Sequence, residues 1–385
     1  MSTAKRIIPV LLTLTLVLAL TLTTAFAAGS PQGKIYNSSK DFNEGERINI
    51  VVNAEGSIAL DETTKAFNFI WVANSQKGTV MKINTDTCEV VGEYWTSPQG
   101  QPRSPSRTTV DLDGNVWVAN RSGNSVTKIG LVENGGWIDK NGDGIVTTST
   151  GLSDIKPWTN AGNADTNGGA NTAADECILN YVRTTASGTR HLVIDKNNNL
   201  WVSGTIGNRA FNLIDSKTGK ILRTEGPVPG NYGYGGVIDA NGVMWSASGG
   251  TGLLRWDTAL PLTGSDGGTW KNINVPCYGI ALDKNGYIWT TSYGRDGTNG
   301  AVRKISPDGT VVGTFRQGNT YAQGVAVGLD NDIWVAHSMS TASLGRLKNN
   351  GTYVGTLRIN ANNQYGVIGV AVDNNGFIWG TTNNG

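Results

Sequence analysis

Apolar residues in this chain come in short runs broken by glycine, asparagine and aspartate, and one residue type keeps time through them. Tryptophan recurs at 71, 117, 201, 245, 289, 334 and 379, each after an apolar residue and most before small or polar ones. The intervals are 44 to 46 residues, except for 84 between Trp117 and Trp201. Self-similarity at a period in the forties marks a propeller blade of four short strands. Seven copies predict an all-β, seven-bladed β-propeller of four-stranded antiparallel blades.

Strand order within a unit is readable. Around Trp289 the chain runs YGIALDKNGYIWTTS, AVRKIS and TVVGTFRQG; around Trp334 it runs QGVAVGLDNDIWVAHS, SLGRLK and TYVGTLRIN. These are strands a to d, with a lining the central channel and d outermost. The tryptophan falls in strand b, where its ring fills the space between blades and buries on the order of 150–250 Å². Asp111, Asp195, Asp239, Asp283 and Asp373 stand six residues before their tryptophans, and Gly or Asn stands three before in most copies. A carboxylate that accepts turn amides, beside a residue that tolerates left-handed backbone, is a hairpin signal. A residue needed once per blade belongs to the scaffold, not to a single catalytic constellation. Gly328 replaces the aspartate in the sixth copy, and in the first copy Asp61 lies ten residues before Trp71.

Residues 1–28 read as an export signal: Lys5 and Arg6, an apolar run from Ile7, and Ala25-Phe26-Ala27 as a cleavage site. A secreted or cell-surface protein with no membrane span after cleavage is expected, as one propeller over residues 29–385. The last unit stops after strand b, so the N-terminal residues 33–56, with an alternating run at 47–52, are expected to supply the missing strands and close the ring.

The extra length is placed at residues 131–188, as an insertion between blades two and three. It contains DKNGDGIVTTST, residues 139–150, which resembles an EF-hand loop. Asp139, Asn141, Asp143 and the Ile145 carbonyl match calcium positions one, three, five and seven, with Gly144 at six. Thr150 stands where the loop needs a bidentate glutamate. A calcium ion there must borrow Asp154, Asp165, Asp175 or Glu176 or bind weakly, and a polar turn without metal uses the same residues. Residues 159–175 are poor in bulky apolar groups and read as a surface loop. The insertion's last part is expected on the face that carries the d-to-a and b-to-c loops.

A formal net charge of +1 without a polybasic stripe excludes nucleic acid as a partner. Cys88, Cys177 and Cys277 allow at most one intramolecular disulfide. Aligned strand-a starts place Ser106, Arg190, Tyr234, Tyr278, Gln323 and Ile368 at one position around the channel mouth. The next position holds Arg107 and His191 in blades two and three, and Gly235, Gly279, Gly324 and Gly369 elsewhere. Tyr232, Tyr321 and Tyr365 lie nearby, and the b-to-c loops add Asn74, Asn120, Ser248, Ser292, Tyr293 and His337. This aromatic and polar funnel suits a glycan, a peptide or a surface protein, with Arg107, Arg190, Tyr234, Tyr278, Tyr293 and Gln323 as contacts. If the mouth is catalytic, His191 and His337, the two histidines of the chain, are the candidate bases. The sequence contains no G-x-S-x-G elbow, P-loop, H-E-x-x-H or C-x-x-C motif. A ligand-free role in a surface layer or filament is a further alternative.

GVAVDNNGFIW, GIALDKNGYIW and TTVDLDGNVWVAN resemble the repeats of NHL-type propellers, in particular the streptogramin B lyase-like (virginiamycin B lyase-like) family, over essentially all of the chain after its leader. The resemblance implies the propeller fold. For the lyase itself it implies histidines and glutamates on the channel-mouth face that hold Mg2+ and remove a proton. Here the third residue after each tryptophan is Asn74, Asn120, Gly204, Ser248, Ser292, His337 or Thr382, and no glutamate follows Glu225. Only His337 matches a catalytic position. A binding propeller is therefore expected ahead of a magnesium-dependent carbon–oxygen lyase.

Overall fold

Strand pairing follows the repeat. The computed structural model describes residues 50–52, 58–60, 67–250, 252–264, 266–294, 300–316, 321–338, 342–359 and 366–382; the expected leader, residues 1–28, lies outside them. The chain divides into two units, residues 1–66 and 67–385. In the first, β1 (Ile50–Val52) pairs antiparallel with β2 (Ile58–Leu60).

The second unit is a β-propeller with almost no helix. Its first sheet is β3 (Phe69–Asn74), β4 (Thr79–Asn84) and β5 (Val90–Trp95). Five four-stranded antiparallel sheets follow. They are β6 (Pro105–Val110), β7 (Val116–Asn120), β8 (Ser125–Ile129) and β9 (Ile178–Arg183); β10 (Ser187–Ile194), β11 (Leu200–Ile206), β12 (Phe211–Ile214) and β13 (Ile221–Glu225); β14 (Gly235–Ile238), β15 (Val243–Ala247), β16 (Leu253–Asp257) and β17 (Trp270–Ile273); β18 (Ile280–Leu282), β19 (Ile288–Thr291), β20 (Val302–Ile305) and β21 (Val311–Phe315); and β22 (Ala322–Val327), β23 (Ile333–His337), β24 (Ser343–Leu347) and β25 (Tyr353–Arg358). A two-stranded sheet, β26 (Val367–Val372) with β27 (Ile378–Thr382), completes the series.

The described residues thus form six blades, where the tryptophan count predicts seven. The seventh repeat supplies only strands a and b. Of residues 33–56, expected to supply the missing strands, only 50–52 are described, and they pair with β2 within the first unit. In the second unit Asn374 donates to the Phe67 carbonyl at 2.9 Å and Asn375 to Asp86 at 3.1 Å, joining the two-stranded sheet to the first blade.

The recurring aspartates are turn residues. Asp111 accepts the amides of Asp113 and Asn115, and the same pair of bonds, to the second and fourth residues on, recurs at Asp195, Asp239, Asp283 and Asp373. Gly114, Asn198, Gly242, Gly286, Asn331 and Gly376, each three residues before a tryptophan, hold positive φ between 63° and 82°, the conformation that glycine and asparagine tolerate. The tryptophans then pack across blades. Trp117 lies in a buried cluster with Leu192 and Leu200 of the next blade, and Trp245 in one with Ile288 and Ile305.

The extra length sits inside blade two, between β8 and β9, and not between two blades. It runs along the outer edge: Ser149 accepts the Glu93 amide, and the Trp158 carbonyl accepts the Gln99 amide in the connection to β6. Residues 159–175 are more than a surface loop. Fully buried Asp165 accepts the Trp158 indole and the backbone of Asn171 and Thr172, and Ala170 and Ala173 join the Trp158–Tyr181 cluster. One buried carboxylate here organises a segment too poor in apolar groups to pack by itself. Cys88, Cys177 and Cys277 are unpaired.

Candidate functional site

The inner strands begin irregularly, and the irregularity aims side chains. Register shifts between Pro105 and Arg107, Thr189 and His191, Ala322 and Val325, and Val367 and Gly369. Ser106, Arg190, Gln323 and Ile368 fall in these bulges, at the aligned rim position. A bulge leaves a residue out of the ladder and redirects its side chain, a device common beside binding sites. In the intervening blades Tyr234 and Tyr278 stand just before β14 and β18, their amides bonded to the Ala247 and Thr291 carbonyls at 2.7 Å.

The rim residues meet. Arg190 Nη1 donates to the Tyr234 hydroxyl at 3.3 Å, Tyr234 bonds to the Tyr278 hydroxyl, and Gln323 Nε2 donates to that same hydroxyl at 2.8 Å. Four successive blades therefore join through one polar chain. The Tyr234, Tyr278, Tyr293 and Tyr321 rings follow one another with centroids 4.6, 4.8 and 5.7 Å apart. Tyr293 and Tyr321 hold φ of 51° and 62°, a backbone state that costs a bulky residue on the order of 1–3 kcal/mol and persists where its surroundings impose it. The Arg107 and Arg190 guanidiniums lie 5.1 and 4.8 Å from the Tyr234 ring centroid. Burial pulls the Arg190 pKa below the guanidinium range; Tyr234 opposes this, and Arg121 and Arg107 reinforce it. Burial, then Tyr234, pushes Tyr278 up to about 12.

Below this cluster a cavity of about 210 Å³ is lined by Arg107, Arg190, Tyr278 and the strand-a glycines Gly235, Gly279, Gly324 and Gly369. Glycine is required where inner strands converge: a Cβ on Gly279 would lie 2.2 Å from the Gln323 carbonyl oxygen. Arg121, within electrostatic reach of Arg190, was not among the sequence candidates, although it directly follows Asn120 in a b-to-c loop. Tyr365 lies outside the described residues.

Other candidates are placed elsewhere. Asn120, Ser248 and Ser292 are buried; Asn120 donates to the Thr96 carbonyl and the Ser248 hydroxyl accepts the Gly252 amide. Asn120 and Ser248 thereby brace loops, while the Ser292 hydroxyl is buried without a hydrogen-bond partner among the described residues. His337 ends β23 and is 1% exposed. His191 is fully buried, edge-on to Phe211 with Nδ1 3.2 Å from the Ser246 hydroxyl, and a Cβ on Gly236 would lie 2.0 Å from its ring. The glycine of the next blade makes the room that this imidazole occupies.

Burial pushes the His191 pKa from 6.5 down to about 4, so the ring is neutral at pH 7. Between those values the unfolded chain binds the extra proton, and stability falls as the pH drops from 6.5 toward 4 while being complete above 6.5. The loss approaches about 3 kcal/mol. His191→Asn should flatten that slope in urea unfolding measured at pH 7 and pH 4.5, and an unchanged slope would contradict this placement.

The calcium-like loop is exposed. Asp139 accepts the Gly142 and Gly144 amides, and Asp143 accepts the Ile145 amide and the Asn141 side chain. Of the carboxylates expected to assist, Glu176 accepts the Lys140 and Thr147 amides, Asp175 the Ser149 and Cys177 amides, and Asp154 the Thr150 amide. Among the described residues no three His, Cys, Asp or Glu side chains form a group that can hold a metal ion. At the channel mouth, the magnesium of the lyase resemblance meets guanidiniums where it would need carboxylates.

No family model matches the sequence, and no curated protein is similar to it in sequence. Solved structures are similar in fold. A streptogramin B lyase superposes with a TM-score of 0.59 at 12% identity, covering 82% of this chain and 87% of that one. A catalytically inactive virginiamycin B lyase from Staphylococcus aureus with quinupristin gives 0.57 at 17%, covering 86% and 90%. A functionally unknown protein from Desulfotomaculum acetoxidans gives 0.55 at 15%, covering 82% and 90%.

Proposed function

We propose that this chain is an exported recognition propeller that binds a glycan at the channel mouth without turning it over. The observation that carries this is the Arg190–Tyr234–Tyr278–Gln323 chain of hydrogen bonds, contributed by four blades and set over a cavity. Aromatic faces with hydroxyl, amide and guanidinium donors match the alternation of C–H faces and hydroxyls on a sugar. Among the described residues the mouth offers no carboxylate to receive the amine of a peptide. The lyase alternative draws on fold alone, and its two histidines are buried.

The test is an array of neutral and acidic glycans probed with the protein and with Tyr234→Phe/Tyr278→Phe. The double change keeps both rings and removes the hydroxyl chain. Hits of the parent protein are expected to weaken by about tenfold or more, in line with the loss of one or two ligand hydrogen bonds, at an unchanged melting temperature. Equal signals from both proteins would remove the mouth from consideration.

A further inference from the structure

Among the described residues, the channel mouth gathers positive charge without a counter-charge. Arg107 and Arg190 share the Tyr234 ring, and Arg121 stands close enough to Arg190 to disfavour its charge. Among the described residues none of the three forms an ion pair with an aspartate or glutamate. No carboxylate occurs in residues 96–106, 184–190, 226–234 or 274–279, the connections that lead into strands 6, 10, 14 and 18, nor in the turns at 121–124 and 248–252. The turn carboxylates Asp111, Asp195, Asp239, Asp283 and Asp373 sit at the other end of the blades, and Asp296, in the loop between β19 and β20, lies outside the described residues.

Two donors are also left over. The Arg107 Nε is buried and has no hydrogen-bond partner among the described residues. The two tyrosine hydroxyls receive N–H groups from Arg190 and Gln323 and share one of their own hydrogens between them. Whichever way that shared bond runs, the second hydroxyl hydrogen has no acceptor among the described residues. A buried donor without an acceptor is costly, and two guanidiniums near one aromatic ring repel each other. One oxyanion between them would satisfy both donors and neutralise the repulsion.

We propose that the channel mouth binds the carboxylate of an acidic sugar, held by Arg107, Arg190 and the Tyr234–Tyr278 hydroxyl pair. This rests on the recognition function proposed above and specifies its ligand class. The cavity, about 210 Å³, is smaller than the roughly 300–1,000 Å³ of sites that enclose a whole drug-sized ligand. It therefore takes one terminal residue of a glycan, with the next sugars lying along the tyrosine arc.

The test titrates the full chain with trisaccharides of galacturonate, glucuronate and mannuronate and with their methyl esters, by calorimetry and by NMR of the arginine Nε–H groups. At least one acid is expected to bind about tenfold or more tighter than its ester, to shift the Arg107 Nε–H resonance, and to weaken with added salt. Arg107→Gln and Arg190→Gln should each remove the preference for acid over ester while leaving the melting temperature unchanged or raised, since each relieves a like-charge contact. An acid and its ester bound equally would overturn the carboxylate assignment and leave glycan recognition standing. Binding of a short peptide through its free C-terminal carboxylate, with no sugar bound, would overturn the sugar assignment. Binding of neither acidic nor neutral sugars would overturn both.

Discussion

Asp111→Ala is expected to lower the unfolding free energy by about 3–5 kcal/mol, far more than the same change at Asp195. Every turn aspartate accepts two backbone amides, and losing those from a solvated turn costs about 1 kcal/mol. Asp111 differs in its second oxygen, which lies 2.9 Å from the Lys128 ammonium; the two side chains are 0% and 6% exposed. Lys128 also donates to the Ser216 carbonyl and hydroxyl in the next blade, so the pair ties blade two to blade three. Alanine leaves an ammonium buried among neutral acceptors, an outcome far worse than exposing a surface charge. Asp195→Ala, at a half-exposed turn whose carboxylate makes no ion pair among the described residues, provides the comparison. Urea unfolding of both variants decides the matter: equal, small losses would show that the buried pair carries no weight. Glycan binding by whatever folded Asp111→Ala remains should be unaffected, because the residue closes a turn at the end of the blade away from the mouth.

The scaffold was legible because propeller blades repeat their requirements. Aspartate, the Gly or Asn three residues before tryptophan, and the tryptophan itself each recur because every blade needs the same turn and the same filler. Repetition separates such residues from a site even without a structure. Blade count was less legible. A tryptophan marks strand b and says nothing of strands c and d, so Trp379 counts as a repeat although only two strands accompany it. The insertion was misplaced for a similar reason. The spacing from Trp117 to Trp201 shows that residues are added but not between which strands, and only the pairing of β8 with β9 across it locates it inside blade two.

At the mouth, alignment found the rim position and misjudged its neighbours. Arg190, Tyr234, Tyr278 and Gln323 meet as the alignment places them because bulges and strand starts turn that one position toward the channel. His191, a single residue further along, points the other way into the core. Arg107, at the same aligned position in blade two, lines the cavity instead, because a bulge decides which way each side chain turns and hides that direction from a simple count. The b-to-c residues were overvalued because a polar residue in a loop reads as exposed, whereas Asn120, Ser248 and Ser292 are buried, the first two bonded to loop backbone.

The blade interfaces yield the other large effect. Trp245→Ala is expected to cost about 3–5 kcal/mol. Its ring is fully buried between blades four and five, among Ile273, Val275, Ile288 and Ile305, and strands held in two ladders cannot collapse into the space it leaves. Trp379→Ala should cost clearly less. That ring is partly exposed, and its indole donates to Asp373 at 2.8 Å within its own turn, so its removal opens to solvent instead of creating a closed void. If the two tryptophans did equal work, as their equal place in the repeat suggests, the two variants would unfold at the same denaturant concentration. A gap of 1 kcal/mol or more in favour of Trp379→Ala would show that the two-stranded sheet contributes less packing than a full blade, and that burial, not sequence period, sets the cost of each substitution.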